Sequence, residues 1–402
     1  MLEAKSLIND IKNNLQKICS YDEIKKIEVL HLDGWCHNFL VSKNYKHDIA
    51  YGPPTEKGNH LQFKLWEQAL EELNSDNFSK EFLRSEWDRV IQYHDIETFS
   101  EYARIPRIGR RGRLTRLQRK AIWPVFQEYR TLLNEQQLWE PPDMMRAARS
   151  IFEKSKLNAG FKHIIVDEIQ DFHPQAFRLL RAMIPSDQFS TNDLFLVGDG
   201  HQNIYGHKIV LSKLGINIVG RGKRLRLNYR TPEETRRWAS SVLKGIEISD
   251  LDGAEDSNLG YRSILSGPAP TFQPCTSFDS EVSEIQKWIT TLRKHSPNAI
   301  ICVAVRSNRE RRDYAKSLST IGISIHEITD KVHDIPDSEP IRLSTMHRIK
   351  GLEFDHVCLA GLGKINWENL PEERQESERC LLHVAATRTK NSLLVTTAKE
   401  NF

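Results

Sequence analysis

Ile164-Ile165-Val166-Asp167-Glu168-Ile169-Gln170-Asp171 runs three β-branched apolar residues straight into two adjacent carboxylates, with a third acid after two more positions. An uninterrupted apolar run of this kind reads as a buried parallel strand, and ligands of open α/β sheets sit just beyond the carboxyl ends of such strands. The stretch therefore predicts an α/β fold with Asp167 and Glu168 placed where a nucleotide and its metal would be. In a phosphoryl-transfer site the first acid holds magnesium, directly or through water, and the second takes a proton from the attacking water. Two surface acids at a strand end would spell the same letters, so the reading depends on its flanks.

Downstream, LFLVGDGHQNIYG (194–206) is another apolar strand ending in Gly198 and Asp199, followed by Gln202 and Tyr205. A glutamine there can orient a water or touch a terminal phosphate, and a tyrosine can offer its ring to a base. A plain turn with a buried tyrosine is the rival. In LRLNYRTPEET (225–235), Thr231 and Glu234 have capping-box spacing and Pro232 suits a first helical position, so Arg230 precedes a helix start suited to anions. Beyond a loop-rich stretch at 245–280, AIICVAV (299–305), ISIHEI (323–328), IRLST (341–345) and SLLVTT (392–397) read as strands. Ser307 and Glu310 open a helix between the first two, which Gly322 can close, and ERCLLHVAATRTK (378–390) carries the last helix.

Upstream, residues 1–60 hold a helical pattern, then a strand-like IEVLHL, and His31 and Trp35 four positions apart. Residues 61–150 read as all-helical, with tryptophans at 66, 87, 123 and 139. Within them RIPRIGRRGRLTRLQRK (104–120) carries eight basic side chains and no acid, Arg110, Arg111 and Arg113 among them. Such a run, broken by Gly109 and Gly112, suits a phosphate-contacting loop as well as it suits a solvated face.

A length of 402 residues implies two or three domains, and 28% charged against 39% hydrophobic residues describes an ordinary globular chain. With a net charge of only +3, nucleic-acid contact must come from local patches. No apolar run reaches membrane-spanning length and the start MLEAKSLINDIKNN lacks a signal-peptide core, which points to the cytoplasm. The six cysteines form no CxxC pair and read as reduced thiols.

The order of these segments resembles the UvrD/Rep/PcrA family of superfamily 1 helicases. IIVDEIQD is similar to its motif II, LVGDGHQNIYG to motif III, LRLNYRTP to motif IV, STMHRIKGLEFDHV to motif V and LLHVAATRTK to motif VI. The resemblance implies two RecA-like parallel-sheet lobes, with ATP and magnesium in the cleft between them and single-stranded DNA across the top. It divides the chain into 1–60 and 151–225 as the first lobe, 61–150 as its helical insert, and 226–402 as the second lobe.

By the same resemblance Asp167 coordinates magnesium, Glu168 activates water, Gln202 senses the terminal phosphate, and Arg230 and Arg388 act as arginine fingers. Tyr229 stacks on adenine and Glu353 lies near the ribose. Thr345, His347 and Lys350 take the DNA side of the second lobe, Tyr205 and His207 that of the first, and IEVLHLDGW adds His31 and Trp35.

Three departures stand out. No G-x-x-x-x-G-K-[ST] occurs, and the nearest string, VGRGKRLR (219–226), lacks the spacing and the hydroxyl. In the family this phosphate loop lies upstream of the segment with which the chain opens, so the first lobe is expected to be incomplete at its N-terminus, without the N–H cradle and lysine that hold phosphates. The interval between motifs IV and V is too short for the family's large accessory subdomain. His207 and His383 replace a tryptophan and a tyrosine. The reading is an ATP-dependent DNA helicase polypeptide that is inactive as an ATPase alone, with a second protein chain as a candidate partner completing the lobe. The alternative is a non-enzymatic DNA-binding or scaffold subunit of a defence or repair complex.

Overall fold

Ile301–Val305 and Ile341–Thr345 are buried at every residue, as continuous apolar runs in a parallel sheet should be. They are two central strands of the larger sheet in the computed structural model. The structure describes residues 2–52, 60–72, 78–107, 110, 112–155, 159–184, 193–203, 209–246, 260–329, 332, 341–365, 367, 370 and 372–398.

In chain order, helices α1 (Leu2–Ile18), α2 (Tyr21–Ile24) and α3 (Leu32–Ser42) lead to strand β1 (Asp48–Ile49). Helices α4 (His60–Leu70), α5 (Lys80–Glu86), α6 (Phe99–Arg104) and α7 (Arg116–Glu135) follow, and β2 (Leu138–Trp139) returns to pair in parallel with β1. Helix α8 (Pro141–Ser155), β3 (Ile164–Val166), α9 (Pro174–Met183) and β4 (Leu194–Leu196) come next, β3 and β4 being parallel with Ile165 opposite Phe195. The strand expected in IEVLHL does not form: residues 27–31 are irregular and α3 starts at Leu32 with His31 as N-cap.

Strands β5 (Leu227–Asn228) and β6 (Arg262–Ser263) flank α10 (Glu233–Val242). The rest builds the six-stranded sheet from β7 (Thr271–Cys275), α11 (Phe278–His295), β8 (Ile301–Val305), α12 (Asn308–Thr320), β9 (Ile325–Glu327), β10 (Ile341–Thr345), β11 (Phe354–Leu359), α13 (Glu372–Ala386) and β12 (Thr389–Ala398). Its order is β7-β12-β11-β8-β10-β9, every pair parallel. Strand alternation splits the core in two. Cys302 and Ala304 join Leu381, Val384 and Ala239 of α13 and α10 on one face. Val303 and Val305 join Ile285 and Leu318 of α11 and α12 on the other. The expected α/β class with a parallel sheet is what the chain adopts.

The predicted capping box at Ser307 and Glu310 forms in full. The one read at Thr231 does not. The N-cap of α10 is Pro232, and the Thr231 hydroxyl instead donates to the Thr387 carbonyl at 3.0 Å, tying motif IV to motif VI. Strand β7, an edge strand containing Pro274, lay hidden in the stretch read as loop.

In the helical part, the wholly buried Glu86 accepts a bidentate pair from Arg107 at 2.7 and 2.8 Å, Arg110 Nε at 3.2 Å and the Tyr102 hydroxyl at 2.8 Å. Arg110 was expected to contact nucleic acid. Its side chain is 2% exposed and turned inward onto Glu86, while Arg113 remains exposed and Arg111 lies outside the described residues. Arg110→Ala should therefore lower the free energy of unfolding in urea, by about 2 kcal/mol for a lost hydrogen bond to a buried charge, and leave DNA affinity within twofold. A loss confined to DNA affinity would refute the assignment.

Candidate nucleotide cleft between the lobes

At the carboxyl end of β3, Asp167 is exposed and Glu168 half-buried, in a left-handed turn (φ 53°) that swings the chain off the sheet. Asp167 accepts the Glu168 N–H at 2.8 Å, and Gln170 donates its amide to the Glu168 carboxylate. The Gln170 carbonyl oxygen in turn accepts the Asp199 N–H at 3.0 Å, locking the ends of β3 and β4 together. Gly198 permits this approach, because a Cβ there would stand 2.5 Å from Ile169 and 2.6 Å from the Gln170 oxygen.

Asp199 organises the next layer. Its carboxylate accepts the His201 N–H at 2.9 Å, lies 3.1 Å from His201 Nδ1, and accepts the Gln202 amide at 2.9 Å. Burial works against its charge, but these donors prevail and hold the carboxyl well below the usual carboxylate range. With its nitrogen fixed on Asp199, Gln202 points its oxygen at the second lobe, where Arg388 Nη2 donates to it at 3.1 Å. Burial, then the nearby Arg230 charge, pulls the Arg388 guanidinium down to about 10, against the pull of Glu168, Asp199 and Glu353. Arg388 thus stays cationic at neutral pH, within electrostatic reach of acids from both lobes.

A second bridge lies beside the first. The Lys350 ammonium donates to the Asp171 carboxylate and to the Gln202 carbonyl oxygen. Lys350 was expected on the DNA side, yet its charge sits at the junction of motifs II and III. Arg230 pairs with Glu353 at 2.7 Å, and Lys390 holds the other Glu353 oxygen at 3.0 Å. Tyr229 is 67% exposed. His383 is buried with Nδ1 3.0 Å from the Ala239 carbonyl oxygen, and burial drives its pKa down to about 4.

Asp167, Glu168, Gln202, Arg230, Arg388 and Glu353 are therefore gathered at one junction, joined by Asp171, Asp199 and Lys390, which sequence reasoning gave no role there. The Asp171 signal was present, as the last acid of the opening stretch. Among residues read as DNA contacts, His31 and His347 are exposed. Trp35 stacks on Phe39 at 5.3 Å and Phe152 at 6.2 Å, so its ring packs on the first-lobe core. Thr345 is buried at the end of β10. Tyr205 and His207 lie outside the described residues.

Residues 5–210 match the UvrD/REP helicase N-terminal domain, and 323–400 match the UvrD-like helicase C-terminal domain. The chain belongs to the UvrD/REP helicase family. A probable DNA helicase of Mycoplasma pneumoniae is 23% identical over 98% of this chain and 73% of its own length. DNA helicase IV of Escherichia coli is 25% identical over 70% of this chain and 40% of its own, and DNA helicase II of Haemophilus influenzae 23% identical over 59% and 30%. The chain thus spans less than half the length of the last two. Family membership accounts for the cross-lobe contacts: the five motifs, scattered over more than 220 residues, meet where Gln202 touches Arg388. Among the described residues no helix is long and apolar enough to cross a membrane.

Proposed function

We propose that the chain is the motor polypeptide of an ATP- and magnesium-dependent translocase on single-stranded DNA, acting in the cytoplasm. The observation that carries this is the Asp199–Gln202–Arg388 relay, which links the acid at the end of a first-lobe strand to an arginine of the second lobe. The donor set suits the cofactors. Asp167 is an exposed carboxylate able to hold magnesium alongside waters and phosphate oxygens, and a magnesium site needs no cluster of three protein acids. ATP bound there would supply the phosphoryl group for transfer. Glu168 would take the proton of the attacking water, Gln202 would position that water, and Arg388 and Arg230 would neutralise charge on the transferring group. Tyr229 offers an exposed ring for adenine, and Glu353 a carboxylate for the ribose.

The second reading, a DNA-binding subunit without turnover, is favoured by one observation, the absence of any G-x-x-x-x-G-K-[ST] string. The test is hydrolysis and DNA binding by the purified chain across a salt series. Expected are background hydrolysis and binding to single strands that weakens with salt, with a slope of about 0.7 per phosphate contacted that Arg113→Ala reduces. Hydrolysis by the chain alone, abolished in Glu168→Gln, would contradict the need for such a string. Absence of DNA binding would remove both readings.

A further inference from the structure

The string VGRGKRLR (219–226), which lacks the spacing of a phosphate loop, takes no part in the cleft contacts described above. Between Asp199 and Glu233 the sequence holds no acid, and Lys213, Arg221, Lys223, Arg224 and Arg226 all fall in that interval, a strong local excess in a chain whose net charge is only +3. All five are exposed. Ile216, buried in the first-lobe core, anchors the segment on one side, and β5 carries it on to Tyr229 and Arg230. Pairing of β5 with β6 brings a further exposed cation alongside, since the Arg262 N–H donates to the Arg226 carbonyl oxygen at 3.0 Å. Gly260, at φ 83°, lets its chain lie against the Arg226 guanidinium, where a Cβ would stand 3.3 Å from Nη1.

The other basic run of the chain is partly spent on its own fold: Arg107 and Arg110 go to Glu86, and Arg119 to the carbonyl oxygens of Tyr102 and Ile105. We infer that the Arg221 to Arg226 segment, with Lys213 and Arg262, forms a separate surface that takes the phosphate backbone of double-stranded DNA where the chain crosses from one lobe to the other. This goes beyond the motor reading and does not depend on ATP turnover.

Charge and the absence of rings together select the ligand. Four exposed cations strung along at most about 17 Å of chain, from Arg221 to Arg226, make a track and not a pocket, which suits a row of phosphates better than one small anion. No aromatic residue lies between Lys213 and Asn228. The apolar side chains set among the cations are Val219 and Leu225, 70% and 88% exposed. Single strands are held by stacking their bases on aromatic rings, whereas a duplex hides its bases and offers a dense row of phosphate charge. The surface has the cations for the second and lacks the rings for the first.

The test measures binding of the full chain to a labelled duplex and to a labelled single strand of equal length across a salt series. The triple variant Lys223→Ala, Arg226→Ala, Arg262→Ala should lose duplex affinity at least tenfold and lower the duplex salt slope by about 0.9 per phosphate contact removed, with single-strand affinity within twofold of the native chain. Lys223→Arg combined with Arg226→Lys and Arg262→Lys keeps the charges and should bind duplex as the native chain does. A duplex slope unchanged in the alanine variant would overturn the inference and leave the surface to an acidic protein. Equal losses for duplex and single strand would overturn it by making the surface part of one shared path, and a charge-keeping variant as weak as the alanine one would reduce these residues to packing. A native chain that shows the duplex response but binds no single strand sinks the motor reading alone, and one that binds single strands but shows no response to the alanine variant sinks this inference alone.

Discussion

Glu140→Ala is expected to unfold the helical subdomain, the largest loss of stability of any single substitution in the chain. Glu140 is buried, and its carboxylate accepts Gln62 at 2.5 Å, Arg84 and the Trp87 indole at 2.6 Å, Gln92 at 2.7 Å and the Tyr129 hydroxyl at 3.0 Å. A π-helical segment from Trp87 to Gln92 brings both of those residues to it. Alanine would strand a guanidinium and four neutral donors together, and breaking one partner of a buried ion pair costs about 3–5 kcal/mol.

The same residue sets an acid limit. Burial alone would raise the Glu140 carboxyl, but Arg84, Trp87 and Gln92 overcome it and hold the group at about 2, below its unfolded value of 4.5. A depressed folded pKa contributes stability that is complete above the unfolded value and lost as pH falls through the folded one. Tryptophan fluorescence should therefore report a urea midpoint of unfolding that drops between pH 4.5 and about 2 in the native chain. In Glu140→Gln that component should vanish. A variant as stable as the native chain at pH 7 would show the cluster to be incidental.

Arg388→Ala is expected to have the largest effect on chemistry. In a preparation that hydrolyses ATP, turnover should fall by about 10³-fold or more, the range seen when an arginine that stabilises a transferring phosphoryl group is removed. The loss should fall on kcat, because the guanidinium meets Gln202 and developing charge and not the nucleoside. Removing Tyr229 should chiefly raise KM. A change in KM alone for Arg388→Ala would place it outside the reacting centre.

Much of this was legible because local rules and tertiary context agreed. ICVAV and IRLST are strands by composition and buried by position, and Ser307 with Glu310 had no competing partner. The acids and Gln202 were readable since strand ends locate ligand sites in α/β sheets. Other features turned on residues far away in sequence. Arg110 looked like a phosphate contact because its carboxylate, Glu86, sits on a helix 24 residues earlier. Thr231 gave up its capping role to a carbonyl 156 residues on. Lys350 could not be placed in the cleft from its own motif, since Asp171 is 179 residues away.

The central claim is that acids of the first lobe and cations of the second meet across one cleft. A short bismaleimide applied to the full chain carrying Asp171→Cys and Lys350→Cys tests it, against a background in which native Cys19 is half-buried and Cys36, Cys275, Cys302, Cys358 and Cys380 are buried. The two introduced thiols should join within one molecule, giving a band of altered mobility that neither single substitution produces. Two thiols that each react with monofunctional maleimide but never join would show the lobes to stand apart, and the shared nucleotide cleft would not exist.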